Sequence, residues 1–209
     1  MFISFEGPEG SGKTSQIRLL AAFLREQGCG VTVTREPGGT RIGDQIRTCL
    51  HDVANQEMVP TAEFLLYSAS RAQLVGELIR PTLAAGGVVL CDRYADSSLA
   101  YQGYGRGLDL QDLITITAIA TGGLKPDLTF LLDLDVERGL ARRRLGGEEM
   151  NRLDLESVRF HERVRAGYHA LAAQEPHRWR LVNADRPVEE VQADLQQVVN
   201  DTILSRCPK

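Results

Sequence analysis

The chain predicts an α/β fold built on one parallel sheet, and three observations lead there. Short apolar runs rich in β-branched or large residues recur along its length, helical periodicity fills the gaps between them, and a glycine-rich loop stands between the first run and the first helical stretch. With 209 residues and 43% apolar content the chain can bury an ordinary core, so a single domain over residues 1–209 is expected.

The apolar runs are Phe2–Phe5, Val31–Thr34, Val88–Cys91, Leu128–Leu134 and Trp179–Val182, which predicts five strands. After the first, Ile17, Leu20, Ala21 and Leu24 recur at helical spacing, and Gly28 stands where a C′ glycine would end the helix. Similar stripes run through Ile42, Ile46, Cys49 and Leu50, through Leu110, Leu113, Ile114 and Thr117, and through Val188, Val191, Leu195 and Val198. All of them read as core faces. Thr61 to Ala85 reads as one long helix or two, because Pro81 lacks the N–H for an internal bond. Phe160, Val164 and Tyr168 mark a further helix beyond an arginine-rich stretch.

Composition narrows the function. A formal net charge of −4 disfavours nucleic-acid and membrane-surface binding, both of which call for a basic excess. No apolar stretch approaches the roughly 20 residues that span a bilayer. Met1 to Phe5 lead straight into a strand without a basic flank or cleavage site, so a soluble cytoplasmic protein is expected. Cys29, Cys49, Cys91 and Cys207 are far apart and read as free thiols.

Gly7-Pro8-Glu9-Gly10-Ser11-Gly12-Lys13-Thr14 matches GxxxxGK[ST] between a strand and an amphipathic helix, the context that gives this pattern its meaning. A loop that wraps a polyphosphate must turn successive N–H groups inward, which glycine does at little steric cost, and the following helix adds its positive end. Lys13 then offers a mobile charge to the β- and γ-phosphates of ATP, and the Thr14 hydroxyl suits Mg²⁺. A P-loop alone does not separate a kinase from a GTPase switch. Asn183-Ala184-Asp185 follows a late strand but lacks the lysine of a guanine-reading motif. A kinase for a small phosphorylated acceptor needs a second anion site, a base pocket and mobile cations, and the chain offers all three.

With Arg35-Glu36-Pro37-Gly38-Gly39-Thr40 after the second strand, Asp92-Arg93-Tyr94 after the third, and the segment Ser97-Ser98-Leu99-Ala100-Tyr101-Gln102-Gly103, the chain resembles thymidylate kinases over nearly its whole length. The resemblance implies a nucleoside-monophosphate-kinase fold: a five-stranded parallel sheet in order 2-3-1-4-5, helices on both faces, a mobile lid at about 138–153, and a homodimer. It implies ATP and dTMP as substrates with Mg²⁺. Arg93 and Arg35 would clamp the acceptor phosphate within the REPGGT and DRY motifs that also hold Glu36, with Arg47 as a third member. Asp92 would join Thr14 at Mg²⁺ through water, since this ion keeps much of its hydration. Tyr67 would lie under the thymine, Arg71 at its edge, and Ser98 and Gln102 at the remaining polar positions. Tyr101 and Tyr104 would form the wall that disfavours a 2′-hydroxyl, and Glu9 would meet the 3′-hydroxyl. Phe64 reads as core.

Gly10 stands where some members carry an arginine, so a cation for the transferred phosphoryl must come from the lid. Of Arg138, Arg142, Arg143, Arg144 and Arg152, the expectation favours Arg144, then Arg142 and Arg152. The lid departs from the family pattern at Gly146-Gly147-Glu148-Glu149 and at Asn151. No catalytic role is assigned to His51, His161, His169 or His177, because an acceptor phosphate oxygen is already anionic. A kinase of another monophosphate or of a deoxynucleoside, and a P-loop switch or binding subunit, are the alternatives at this stage.

Overall fold

A computed structural model describes residues 1–146 and 150–203. Five parallel strands, β1 (Phe2–Glu6), β2 (Val31–Arg35), β3 (Val88–Asp92), β4 (Leu128–Asp133) and β5 (Trp179–Asn183), lie in the order β2-β3-β1-β4-β5. The order and the strand positions are those expected, with each strand bound shifted by at most a residue.

Alternation along β1 divides the core. Ile3 and Phe5 face α1 (Lys13–Glu26) and α9 (Val188–Ile203), where they meet Leu20, Leu24 and Leu195 with Leu90, Phe130 and Leu132 of the flanking strands. On the other face Phe2, Val89 and Cys91 pack on Leu74, Ile79 and Tyr94, while Leu131 and Trp179 pack on Phe160, Val164 and Tyr168 of α8 (Val158–Gln174). Ser4 and Glu6 also point to that second face, so it is the polar-bearing side of a buried strand.

The segment around Pro81 is one helical run with a change of winding. α3 (Pro60–Leu74) passes into π turns over Val75–Ile79 and then α4 (Arg80–Ala84), with Pro81 in the first turn of α4, the part of a helix that tolerates its missing N–H best. A second π segment, Leu99–Gly105, follows the short α5 (Ala95–Ser98) and carries the AYQG residues.

Two apolar stripes do not face the core as expected. On α2 (Arg41–His51) Leu50 is buried but Ile42 and Cys49 are exposed, and on α6 (Leu110–Thr121) Leu113 is buried but Ile114 is exposed and Ile119 is 78% exposed. Periodicity reports an apolar helix face but not what covers it. Cys49 and Cys91 are free thiols, whereas Cys29 is disulfide-bonded, contrary to expectation, since spacing along a chain does not disclose such a bond. Cys207 lies outside the described residues. Among the described residues no helix is long and apolar enough to cross a membrane.

One buried ion pair ties the sheet to the segment after β3. Arg178 forks onto Asp96 of α5 at 2.7 and 3.0 Å, reaches Thr129 at 2.6 Å and also pairs with Glu175. Asp96→Ala leaves that guanidinium without its main counter-charge, so a loss of about 3–5 kcal/mol is expected in urea unfolding; an unchanged midpoint would show that Glu175 alone suffices.

Candidate active site

The loops that follow β1, β2, β3 and β4 converge at the carboxyl ends of the strands, as crossover topology requires. The P-loop is pressed between neighbouring backbones. Gly7 (φ +137°) leaves no room for a Cβ, which would sit 2.4 Å from the Leu132 carbonyl oxygen, and a Cβ on Gly10 (φ +68°) would sit 2.1 Å from the carbonyl oxygen of Gly139 in α7 (Val136–Leu145). Lys13 Nζ donates to the carbonyls of Gly7 (3.1 Å) and Pro8 (2.9 Å) and to Ser11 Oγ (3.3 Å). Burial and the neighbouring Arg93 bring its ammonium down to about 8, against the pull of Glu9 and Asp92.

Arg93 is held in left-handed backbone geometry (φ +67°), rare for a residue with a side chain, by its N–H bond to the Phe5 carbonyl at 2.9 Å and by an extensive side-chain network. Its Nη2 donates to Glu9 Oε1 (2.6 Å), and its Nη1 to the Gly7 carbonyl (3.1 Å), Ser97 Oγ (3.3 Å) and the Tyr168 hydroxyl (2.9 Å). The Tyr101 hydroxyl also donates to Glu9 Oε1, at 2.9 Å, and the Tyr101 ring lies under the Arg93 guanidinium. Burial alone would raise the Glu9 carboxyl, but Arg93 and Lys13 outweigh it and hold it at about 2.

Behind this layer stands a residue that the sequence reading did not single out. Glu6, the last residue of β1, accepts from the Tyr94 N–H (2.8 Å), Ser97 Oγ (2.5 Å) and the Tyr168 hydroxyl (3.2 Å). Complete burial and the nearby Asp96 push its carboxyl up to about 8. A carboxylate closing a buried strand was the available signal; Ser97 and Tyr168 gave none beyond their place in a motif and a core stripe.

Thr14 Oγ1 donates to Asp92 Oδ2 at 2.7 Å, so the two expected metal-site oxygens are neighbours at the start of α1. Hard oxygen donors next to a phosphate cradle fit Mg²⁺.

Arg71, fully buried, donates from Nε to Glu36 Oε2 (2.8 Å) and from Nη2 to Ser98 Oγ (3.0 Å) and the Tyr94 carbonyl (3.2 Å), while its Nη1 is buried without a partner. Tyr67 and Gln102 line the same end of the cleft, and Phe64 is core. Arg35 and Arg47 stand on the rim, the first 3.5 Å from Asp44 and the second donating to the Pro37 carbonyl at 3.0 Å. His51 also lines the cleft; burial and Arg47 lower it to about 4, which keeps it neutral.

Of the arginines expected at the cleft, Arg142 lines it and Arg144 and Arg152 do not. Arg142 and Arg143 line the cleft, Arg142 bound to Asp185 (3.2 Å) and the Ala184 carbonyl, Arg143 to Asp154 (3.1 Å). Arg144 is exposed and turned away, because successive residues on α7 point about 100° apart. Arg138 pairs with Asp185. Arg152 is buried against Glu63 and the Leu50 carbonyl, drawn there by the carboxylate. Gly147, Glu148 and Glu149 lie outside the described residues.

The resulting cleft, about 1090 Å³, runs from the P-loop to the Arg71 pocket. Its phosphate cradle, second cationic centre and far end lined by Tyr67, Arg71 and Gln102 define a P-loop phosphotransferase with the nucleoside-monophosphate-kinase fold. The chain belongs to the thymidylate kinase family: the family model for thymidylate kinase matches residues 5–195. It is 53% identical to a thymidylate kinase of Roseiflexus castenholzii, covering 98% of this chain and 95% of that protein, and 54% identical to one of Deinococcus radiodurans, covering 96% and 97%. The crystal structure of thymidylate kinase from Ehrlichia chaffeensis matches with a TM-score of 0.79 and 32% identity over 95% of this chain and 98% of that one.

Because the folded-state value for Glu9 lies below the ordinary 4.5, its stabilising contribution is complete above that pH and is lost as the pH falls toward about 2. Glu9→Gln should therefore cost about 2 kcal/mol at pH 7, with the gap to wild type narrowing as the pH falls from 4.5 toward about 2 in urea titrations. A gap independent of pH would show that Arg93 does not depend on the Glu9 charge.

Proposed function

We propose that the chain transfers the γ-phosphoryl group of ATP to dTMP, giving dTDP and ADP. The observation that carries this reading is the second cationic centre: Arg93, fixed between Glu9 and the Gly7 carbonyl, stands beside the P-loop lysine, where an acceptor phosphate can meet the γ-phosphate in line. A kinase acting on a free nucleoside has no use for this clamp, and a switch protein has no use for a base pocket next to it.

Lys13 and the P-loop N–H groups hold the ATP phosphates, and Thr14 with Asp92 would hold Mg²⁺, which neutralises phosphate charge when bound. Arg93, with Arg35 and Arg47 from the rim, binds the acceptor phosphate. Glu9 and Tyr101, already joined by a hydrogen bond, face the sugar, and Tyr67, Arg71, Ser98 and Gln102 receive the thymine. The cation for the transferred group comes from Arg142 or Arg143, brought in by closure of the segment 138–153, which also excludes water. No side chain need act as general base.

Residues 1–209 serve as one domain. A homodimer is supported by the exposed apolar residues of the adjoining helices α2, α3 and α6, namely Ile42, Leu65, Ile114 and Ile119, which a second copy would cover. The acidic balance and the lack of a spanning helix among the described residues suit a cytoplasmic enzyme that acts on small molecules, independent of nucleic acid and membrane.

A coupled ADP-release assay with ATP and Mg²⁺ should show strong preference for dTMP over dUMP, dCMP, GMP, AMP and thymidine; phosphorylation of thymidine would overturn the phosphate clamp. Lys13→Ala should lower kcat by about 10²–10³ with the melting temperature retained, and wild-type turnover by that variant would remove Lys13 from the mechanism. Arg71→Met should raise KM for dTMP roughly tenfold or more with little change for ATP; equal loss for both would refute its place at the base.

A further inference from the structure

We infer that Glu63, which does not line the cleft, determines the choice of pyrimidine by fixing which end of the Gln102 amide faces the base. The inference rests on the reading of dTMP as acceptor and adds to it the device that rejects cytosine.

Glu63 is fully buried in α3. It accepts from Gln102 Nε2 at 2.8 Å, from Arg106 Nε and Nη2 at 3.3 and 3.2 Å, and from Arg152 Nη2. Burial would raise its carboxyl, but these donors hold it below the ordinary range, so it is an anion. An ionised carboxylate only accepts hydrogen bonds. The Gln102 amide must therefore turn its NH₂ toward Glu63, and a flipped amide would bring its carbonyl oxygen against the carboxylate. Gln102 Oε1 is left as an acceptor to which no described residue donates, on a side chain that lines the cleft.

Arg71 Nη1 lines the same end as a donor with no partner. Glu36, Ser98 and the Tyr94 carbonyl occupy the rest of that guanidinium and fix it. Gln102 Oε1 and Arg71 Nη1 thus set one acceptor and one donor side by side. Thymine offers N3–H, a donor, beside O4, an acceptor, and matches both. Cytosine offers N3 as an acceptor beside an amino group and opposes both. Arginine has no acceptor form, so of the two only Gln102 could adapt to cytosine, and Glu63 prevents it.

The test is the ratio of kcat/KM for dTMP to that for dCMP in wild type, Glu63→Gln and Glu63→Asp. The amide introduced by Glu63→Gln can face Gln102 with either end, so the ratio should fall roughly tenfold or more. Because that change also removes the counter-charge of Arg106 and Arg152, Glu63→Asp keeps the charge and withdraws it by one methylene; its ratio should fall as well, by a smaller factor, and it decides the matter if Glu63→Gln does not fold. A role confined to stability would lower both substrates in proportion, and an unchanged ratio in a folded variant overturns the inference. A wild type that favours another monophosphate overturns the acceptor reading and this inference with it. Wild-type preference for dTMP with unchanged variants overturns this inference alone.

Discussion

A cleft that binds two phosphorylated substrates must hold several cations close together before either arrives, and the repulsion among them is the constraint around which this structure is built. The solution is to place a carboxylate behind or beside the buried guanidinium groups. Arg93 faces Glu9, Arg71 faces Glu36, Arg106 and Arg152 share Glu63, and Arg178 faces Asp96. An unpaired charge at these depths would cost several kcal/mol, so each pair also fixes the geometry of its guanidinium. A chain of net charge −4 can in this way present a strongly cationic cleft.

The parallel sheet makes that arrangement possible. Because β3, β1 and β4 are neighbours, the Arg93 carbonyl end, the P-loop and the base of α7 emerge side by side, and residues separated by 80 to 160 positions meet within hydrogen-bonding distance. The left-handed backbone at Arg93 is a consequence: the chain must turn sharply off β3 to direct that side chain back across Gly7.

Local patterns made much of this legible. Five strands, the α1 stripe and the P-loop are set by periods of two and 3.6 and by glycine spacing, all of which act over a few residues. Motifs resembling thymidylate kinases extended the reading to Arg93, Arg71 and Gln102. What stayed hidden depends on contacts distant in sequence. Glu6 meets Ser97 and Tyr168 only after the sheet forms, the phase of α7 decides that Arg143 and not Arg144 faces the cleft, and Arg152 leaves the lid because Glu63 waits 89 positions away. The stripes on α2 and α6 were read as core faces and are so only at Leu50 and Leu113, because an apolar stripe does not say whether its own chain covers it.

The contact of Gly10 with Gly139 has a consequence for where the phosphoryl-stabilising cation can originate. With two backbones touching, the space in which a side chain at position 10 would begin is occupied by the carbonyl of α7. An arginine there would force the helix outward and with it Arg142 and Arg143, so a P-loop cation and a lid cation compete for one volume. In this chain the close seat of α7 leaves position 10 no such volume, which accords with the proposed source of the cation on α7, and the same backbone contact couples the P-loop to any displacement of the helix that carries those arginines.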